Sequence, residues 1–175
     1  VALDKTGTLT QGRPELTDLQ LADGFDRAEV LALVGSVEQT SEHPIAAAIV
    51  RAARAEGLDL PQPKGFASIT GHGVQAKVGD RTVLVGADRL MRREGIDLGA
   101  LAAIGTGLGQ AGKTPLFAAI DGRIAAVIAV ADPLKPTTKP AIAALHALGL
   151  QVAMITGDNA GTAQAIAAQT GIDHV

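Results

Sequence analysis

The spacing of apolar residues changes twice along the chain, and the first stretch combines a strand with two helices. Residues 1–3 form a short apolar run that leads into Asp4, which predicts a buried strand delivering a polar loop at its carboxyl end. From Asp26 onward, apolar residues recur at helical spacing. A second helix is predicted to start with Ser41 as its N-cap and Pro44 in its first turn.

The middle stretch changes to the alternation typical of short strands. The dipeptide Asp121-Gly122 favours a tight hairpin, and helices are predicted around residues 88–94 and 98–104. The predicted strands are the segments 67–70, 74–78, 82–85, 116–120 and 124–130. This stretch therefore predicts an antiparallel sheet with helices beside it.

A proline-rich segment at 132–136 (Asp-Pro-Leu-Lys-Pro) ends that pattern, and the chain beyond it alternates helix and strand. We predict a helix at 138–148, a strand at 151–155 and a further helix at 160–169. Such α/β alternation is typical of doubly wound sheets, in which ligands bind at the carboxyl ends of the strands.

The predicted fold class is α/β, with one domain inserted into another. Residues 1–13 and 131–175 are expected to form a doubly wound parallel domain, because the first strand has the same character as the last stretch. Residues 14–130 are expected to form the inserted α+β domain, between two linkers marked by proline.

The composition indicates a soluble globular protein. Of the 175 residues, 47% are hydrophobic and 19% are charged, and the net charge of −3 argues against a nucleic-acid partner. The longest apolar run, at 124–131, is far shorter than the roughly 20 residues of a membrane helix. No cysteine is present for disulfides or thiolate metal sites. Since the chain begins at Val1 and stops after Val175, we interpret both ends as cuts in a longer protein.

The segment 4–10 (Asp-Lys-Thr-Gly-Thr-Leu-Thr) is the strongest chemical signal. A carboxylate at a strand end can attack a phosphorus atom while the amides of the following loop hold the phosphate oxygens. The alternative is a capped turn in which Asp4 is only a turn former. A second strand end, at Thr156-Gly157-Asp158, could hold the same phosphate from its other side, or be an Asx-type turn that caps the next helix.

The seven-residue segment resembles the phosphorylation signature of P-type ATPases, within the haloacid dehalogenase superfamily. The tripeptide at 156–158 is similar to that family's second phosphate-site motif, and the segment 132–136 to its hinge. The resemblance implies that Asp4 attacks the γ-phosphoryl group of ATP and that Mg²⁺ is bound by Asp4 and the Thr6 carbonyl. The phosphate-site residues that it implies are Asp4, Lys5, Thr6, Thr156, Gly157 and Asp158.

The middle of the chain resembles the nucleotide-binding domain of heavy-metal-transporting P-type ATPases. The resemblance is carried by the segment 41–44 (Ser-Glu-His-Pro), by Glu38 before it, and by the segment 71–74 (Gly-His-Gly-Val). It implies that Glu38 and His43 contact adenine and that Gly71 and Gly73 let the backbone approach the nucleotide. The histidines at 72, 146 and 174 have no motif support and are predicted to be surface or core residues.

The implied protein is an ATP-driven pump whose metal is copper, with zinc or cobalt as alternatives. Its other parts, the membrane helices and an actuator domain, would be partners of this portion, which would lie at the cytoplasmic face of a membrane. As an isolated fragment we expect a soluble monomer that binds ATP or ADP without turnover, since the family's later lysine and second magnesium motif are expected after Val175. The rival is a soluble phosphatase of the same superfamily, but those enzymes have a second Asp where this chain has Thr6.

The segment 107–114 (Gly-Leu-Gly-Gln-Ala-Gly-Lys-Thr) satisfies the Walker A pattern, and its first six residues satisfy the dinucleotide-binding glycine pattern. Both motifs require a strand before the glycines and a helix after them. Here the predicted helix at 98–104 precedes and a predicted strand at 115–120 follows. We therefore interpret the segment as a glycine-rich loop from helix to strand.

Overall fold

The computed structural model describes residues 1–157 and 160–175, which form two sheets and the helices that cover them. The strands are β1 Ala2–Asp4, β2 Glu15–Leu21, β3 Lys64–Ile69, β4 Gly73–Val78, β5 Arg81–Gly86, β6 Thr114–Ile120, β7 Arg123–Ala131 and β8 Ala153–Ile155. The helices are α1 Arg27–Glu38, α2 Pro44–Ala55, α3 Asp88–Arg93, α4 Leu101–Gln110, α5 Thr138–Ala147 and α6 Ala160–Thr170.

The smaller sheet joins the two ends of the chain. Strands β1 and β8 run parallel, with Asp4 opposite Ile155 at their carboxyl ends. Helices α5 and α6 supply the apolar side chains that cover this sheet, among them Ile142 and Ala163, which pack with Met154. The predicted parallel pairing of the first strand with the strand near residue 153 is therefore confirmed.

The larger sheet is antiparallel, with the strand order β2-β7-β6-β5-β4-β3. Alternate residues of β5 enter two different cores: Val83 and Val85 pack with α1 and α2, whereas Leu84 packs with α3 and the segment before α4. Because successive side chains of a strand point to opposite faces, the sheet is covered by helices on both sides. The predicted antiparallel sheet with helices beside it is confirmed, and burial on both faces explains why its central strands are continuously apolar.

Two segments differ from their predictions. Strand β2 was not predicted, because Asp18 and the bulge between Leu16 and Asp18 interrupt its alternation; it lies at the sheet edge against β7. The first half of the glycine-rich segment predicted as a loop is helical, since α4 extends to Gln110. A Cβ on Gly105 would lie 2.5 Å from the ring of Phe117, so glycine lets this helix pack closely on β6, and that packing outweighs its low helix propensity.

Within the described parts of the chain, no helix combines the length and apolarity needed to span a membrane. The smaller sheet takes its strands from residues 2–4 and 153–155. The larger sheet takes its strands from residues 15–131. The domain boundaries at 13/14 and 130/131 remain predictions.

Candidate functional site: a phosphate loop and a nucleotide cavity

The first candidate site lies where β1 and β8 end. Asp4 is the last residue of β1, and its side chain is exposed. Thr156 and Gly157 directly follow β8, so they leave the sheet at the same edge as Asp4. Whether the two side chains share one crevice stays a prediction, and Asp158 lies outside the described residues.

The loop after Asp4 is a wide helical turn over Lys5–Leu9 that is interrupted in its middle. Thr6 has extended dihedral angles, and Gly7 has a φ of +77°, in the left-handed region that glycine adopts without a Cβ penalty. A turn in which extended and left-handed residues alternate is typical of the loops whose backbone amides bind anions.

Buried Thr10 connects this loop to the segment that follows β7. Its hydroxyl lies 2.6 Å from the Asp132 carboxylate, to which it donates, and it accepts a hydrogen bond from the Gly7 amide at 3.2 Å. The Lys135 ammonium donates to the Gly7 carbonyl at 2.5 Å, and the Thr138 hydroxyl to the Leu9 carbonyl at 2.5 Å. The loop is therefore held in one conformation by contacts that are distant in sequence.

The atoms that could coordinate a cation at this site are oxygens. The Asp4 carboxylate and the Thr6 carbonyl are adjacent to the loop amides, and both are the hard ligands that Mg²⁺ prefers. Among the residues that the structure describes, no group of three or more His, Cys, Asp or Glu side chains comes together as a metal cluster.

The second candidate site is a cavity of about 400 Å³ between the α1–α2 junction, the β3–β4 turn and the β5–α3 junction. This volume lies within the roughly 300–1,000 Å³ of small-molecule pockets. The structure brings together the four residues that the sequence assigned to the nucleotide. The lining residues with polar side chains or glycine backbone are Glu38, Ser41, His43, Ser68, Gly71, His72, Gly73, Gly86 and Arg89.

Glu38 is the buried acid of this cavity. It ends α1 with only 6% of its surface exposed, and burial raises its pKa from the usual 4.5 to about 7. Desolvation disfavours the ionised carboxylate, and a ligand that donates a hydrogen bond to Glu38 would favour that ionised form.

His43 has a structural function as well as a position in the cavity. It is the N-cap of α2, and its Nδ1 accepts a hydrogen bond from the Ile45 amide at 3.2 Å. The prediction that Ser41 caps this helix is wrong: the Ser41 hydroxyl accepts from the His43 amide instead, at 3.3 Å. The cap orients the imidazole, because Nδ1 is engaged by the backbone and Nε2 is left for a ligand.

Two glycines allow strands β4 and β5 to lie close together at the floor of the cavity. A Cβ on Gly73 would overlap the Val85 carbonyl oxygen, and one on Gly86 would overlap the His72 carbonyl oxygen. Gly73 also has a φ of +154°. Backbone therefore forms the floor, where side chains would otherwise fill the space.

No prediction was made from the sequence for Arg89, and His72 was predicted to be a surface or core residue, yet both line the cavity. His72 stands between Gly71 and Gly73, so its place in the turn was the available signal. Arg89 donates to the Gly71 carbonyl, and this contact arises only when α3 folds against the β3–β4 turn.

Among the described residues, the glycine-rich segment does not line the nucleotide cavity. Strand β6 follows helix α4, which is the order opposite to that of a phosphate-binding loop. Lys113, in the position of the Walker lysine, forms an ion pair with Asp18 at 2.6 Å. The prediction that both glycine motifs are coincidental agrees with this geometry, although the first half of the segment is helix and only the rest connects to β6.

Comparison with known proteins agrees with the motifs. Copper-transporting ATPase 2 of Rhizobium meliloti (strain 1021) is 58% identical over 175 residues, which is 100% of this chain and 21% of that protein. The copper-exporting P-type ATPase of Bacillus subtilis (strain 168) is 41% identical over 175 residues, which is 100% of this chain and 22% of that protein. The chain thus spans about a fifth of the length of these curated relatives.

Solved structures give the same relationship. A zinc-transporting PIB-type ATPase in its E2.Pi state superposes with a TM-score of 0.89 at 35% identity, covering 99% of this chain and 28% of that one. The N-domain of HMA6, a copper-transporting P-type ATPase, superposes with a TM-score of 0.57 at 28% identity, covering 68% of this chain and 99% of that one.

The family model for haloacid dehalogenase-like hydrolases matches residues 1–175. The predicted resemblance to metal-transporting P-type ATPases is confirmed by the relatives, which include a copper-transporting and a zinc-transporting ATPase. By the match over its whole length, the chain belongs to the haloacid dehalogenase-like hydrolase family.

Proposed function

We propose that this chain is the ATP-binding and phosphorylation portion of an ATP-driven pump that exports a heavy metal, with copper as the ion. The single observation that carries the proposal is the gathering of Glu38, His43, Gly71 and Gly73 around one cavity. The resemblance to heavy-metal-transporting P-type ATPases implies that these residues contact the nucleotide, and they are separated by up to 35 positions along the chain. The names of the copper-transporting relatives support the choice of ion.

In this function the cavity binds the adenine base. The exocyclic amino group of adenine would donate to the Glu38 carboxylate, and the His43 imidazole would lie against the ring, since its Nδ1 already bonds the Ile45 amide. A guanine base presents a carbonyl where adenine has the amino group. Its oxygen would face the Glu38 carboxylate, so GTP should bind less tightly than ATP.

Asp4 and the phosphate loop that follows it, Lys5–Leu9, carry out the phosphoryl transfer. One oxygen of the Asp4 carboxylate forms a bond to the γ-phosphorus while the bond from that phosphorus to the bridging oxygen of ADP breaks, leaving an aspartyl-phosphate and ADP. Lys5, Thr6, Thr156 and Gly157 would surround the transferred group. The Asp4 carboxylate and Thr6 carbonyl would hold Mg²⁺, which when bound offsets negative charge on the phosphate.

Calorimetric titration of the chain with ATP, ADP, AMP and GTP tests the proposal. We expect similar affinities for the three adenine nucleotides, weaker binding of GTP, and at least a fivefold loss of ATP affinity in His43→Ala, since a modest polar contact contributes about 1 kcal/mol. ATP binding in His43→Ala that equals the wild type would refute the assignment of this cavity to the nucleotide.

A further inference from the structure

Arg89 is a charged side chain at the nucleotide cavity that the motifs do not assign. It lies in the first turn of α3, is exposed, and lines the same cavity as Glu38 and His43. Its guanidinium donates through one terminal nitrogen to the Gly71 carbonyl, in the β3–β4 turn. A guanidinium has five N–H donors, so this bond leaves the others available to a ligand.

The acidic residues nearest in sequence do not neutralise Arg89. The Asp88 carboxylate accepts from the Arg89 backbone amide with one oxygen, and its other oxygen pairs with Arg92 at 2.6 Å. Over residues 1–157 and 160–175, no ion pair joins the Arg89 side chain to a carboxylate. The positive charge of the guanidinium is therefore not paired with a carboxylate among the described residues. It lies beside a turn whose glycines let a ligand approach the backbone.

The charges of the cavity are separated between its walls. The α1–α2 junction contributes the Glu38 carboxyl group, whereas the β3–β4 turn and the start of α3 contribute the Arg89 guanidinium. Attraction by Arg89 would orient an anionic nucleotide with its phosphate at the second wall, which leaves the base at the first wall beside Glu38. Ala87, which lines the same cavity, has no polar side chain with which to bind a phosphate.

We infer that Arg89 binds the α-phosphate of the adenine nucleotide and so sets the orientation in which the nucleotide enters the cavity. The inference rests on the proposed nucleotide site. A contact with the α-phosphate is shared by AMP, ADP and ATP, and it is consistent with the similar affinities expected for the three. Arg89 at the same time positions the β3–β4 turn through the Gly71 carbonyl, and the experiment must separate these two effects.

The test measures adenosine, AMP and ATP binding to the wild type and to Arg89→Gln by calorimetry. Glutamine keeps an amide donor for the Gly71 carbonyl but removes the charge. We expect AMP and ATP affinities to fall about tenfold, as for loss of a hydrogen bond to a charged group, while adenosine affinity changes less than twofold. Arg93→Gln, an exposed arginine of the same helix outside the cavity lining, is the matched control and should bind all three ligands as the wild type does.

Salt dependence gives a second readout that a purely structural role would not change. AMP affinity of the wild type should fall as KCl is raised, and this slope should be smaller in Arg89→Gln, since screening acts on the lost charge pair. An equal loss for adenosine and AMP would overturn the inference in favour of turn positioning, and so would unchanged AMP binding. Either result leaves the proposed function intact as long as His43→Ala still loses ATP, whereas failure of the wild type to bind any adenine nucleotide would refute both.

Discussion

The hydroxyl of Thr10 lies 2.6 Å from the carboxylate of Asp132, a residue 122 positions away, and joins the end of the phosphate loop to the exit of β7. Thr10 is fully buried, and its hydroxyl also accepts from the Gly7 amide. One side chain thus couples the loop that follows Asp4 to the segment at which the chain returns from the large sheet. The contact explains how a glycine-containing loop stays ordered beside a two-stranded sheet.

Replacing Thr10 by valine should destabilise the protein by about 2 kcal/mol, because the Gly7 amide and the Asp132 carboxylate lose their buried partner while side-chain shape is retained. Urea denaturation at neutral pH measures the change. Thr17→Val is the matched control: its hydroxyl also lies 2.6 Å from a carboxylate, that of Asp18, but Thr17 is exposed. The control should change stability by less than about 0.5 kcal/mol. Equal effects in the two variants would contradict the importance of the Thr10 contact.

Glu38 should make the stability of the ligand-free protein depend on pH. Its pKa is raised in the folded state from 4.5 to about 7, so between these pH values the folded protein binds a proton more tightly than the unfolded chain. The free energy of unfolding should therefore fall as pH rises from about 4.5 to 7, by at most about 3 kcal/mol. Below pH 4.5 the carboxyl group is protonated in both states and the penalty is absent.

The variant Glu38→Gln isolates this contribution from those of other titrating groups. It should be more stable than the wild type at pH 8 and nearly equal to it at pH 4, while binding ATP less tightly because the acceptor for the adenine amino group is altered. Chemical denaturation across this pH range, with calorimetry of ATP at pH 8, gives both quantities. A stability difference that does not change with pH would show that Glu38 is not held in a desolvated site.

The two functions of His43 can be separated by choice of substitution. Asparagine is a favourable N-cap, whereas alanine is not and costs about 1 kcal/mol at such positions. We expect His43→Ala to lose both stability and ATP affinity, and His43→Asn to keep the stability of the wild type but lose ATP affinity. Denaturation and titration of both variants check this. If His43→Asn binds ATP like the wild type, the imidazole serves only the helix.

The sequence allows the neighbouring positions of Asp4 and Thr156 to be predicted, because the carboxyl ends of parallel strands meet at one sheet edge. The grouping of Glu38 and His43 at one cavity agrees with what the family resemblance implies for them. Contacts that depend on how helices and strands approach one another could not be predicted from the sequence. The Thr10–Asp132 bond and the Arg89–Gly71 bond leave no periodic signal.

Predictions from local residue preferences were wrong at the start of α2 and within α4. Ser41 is the better N-cap by type, yet the chain enters α2 with extended backbone at His43, so the imidazole caps the helix. In α4, glycine would be expected to end a helix, but the close approach of Gly105 to Phe117 makes the absence of a side chain favourable. In both cases the packing of the helix in the fold outweighs the conformational preference of the single residue.

Lys113 should matter for stability and not for nucleotide binding. It pairs with Asp18 at 2.6 Å, and this hydrogen bond is the main cause that holds the pKa of Asp18 below its usual value of 3.8. Lys113→Ala should lower the free energy of unfolding by about 1 kcal/mol at neutral pH, since both side chains are partly buried. ATP affinity should stay within twofold of the wild type, because Lys113 is not among the residues that line the cavity.

The pH dependence of the Lys113→Ala effect identifies its cause. A depressed carboxyl pKa contributes stability above the usual value of 3.8 and loses it as pH falls through the lower folded-state value. The stability difference between wild type and Lys113→Ala should therefore shrink below pH 3.8, and Asp18→Asn should abolish most of it at neutral pH. Denaturation of the two single variants and of the double variant measures this coupling. A large loss of ATP affinity in Lys113→Ala would instead restore the Walker-type interpretation of residues 107–114, and with it a second phosphate-binding segment between α4 and β6.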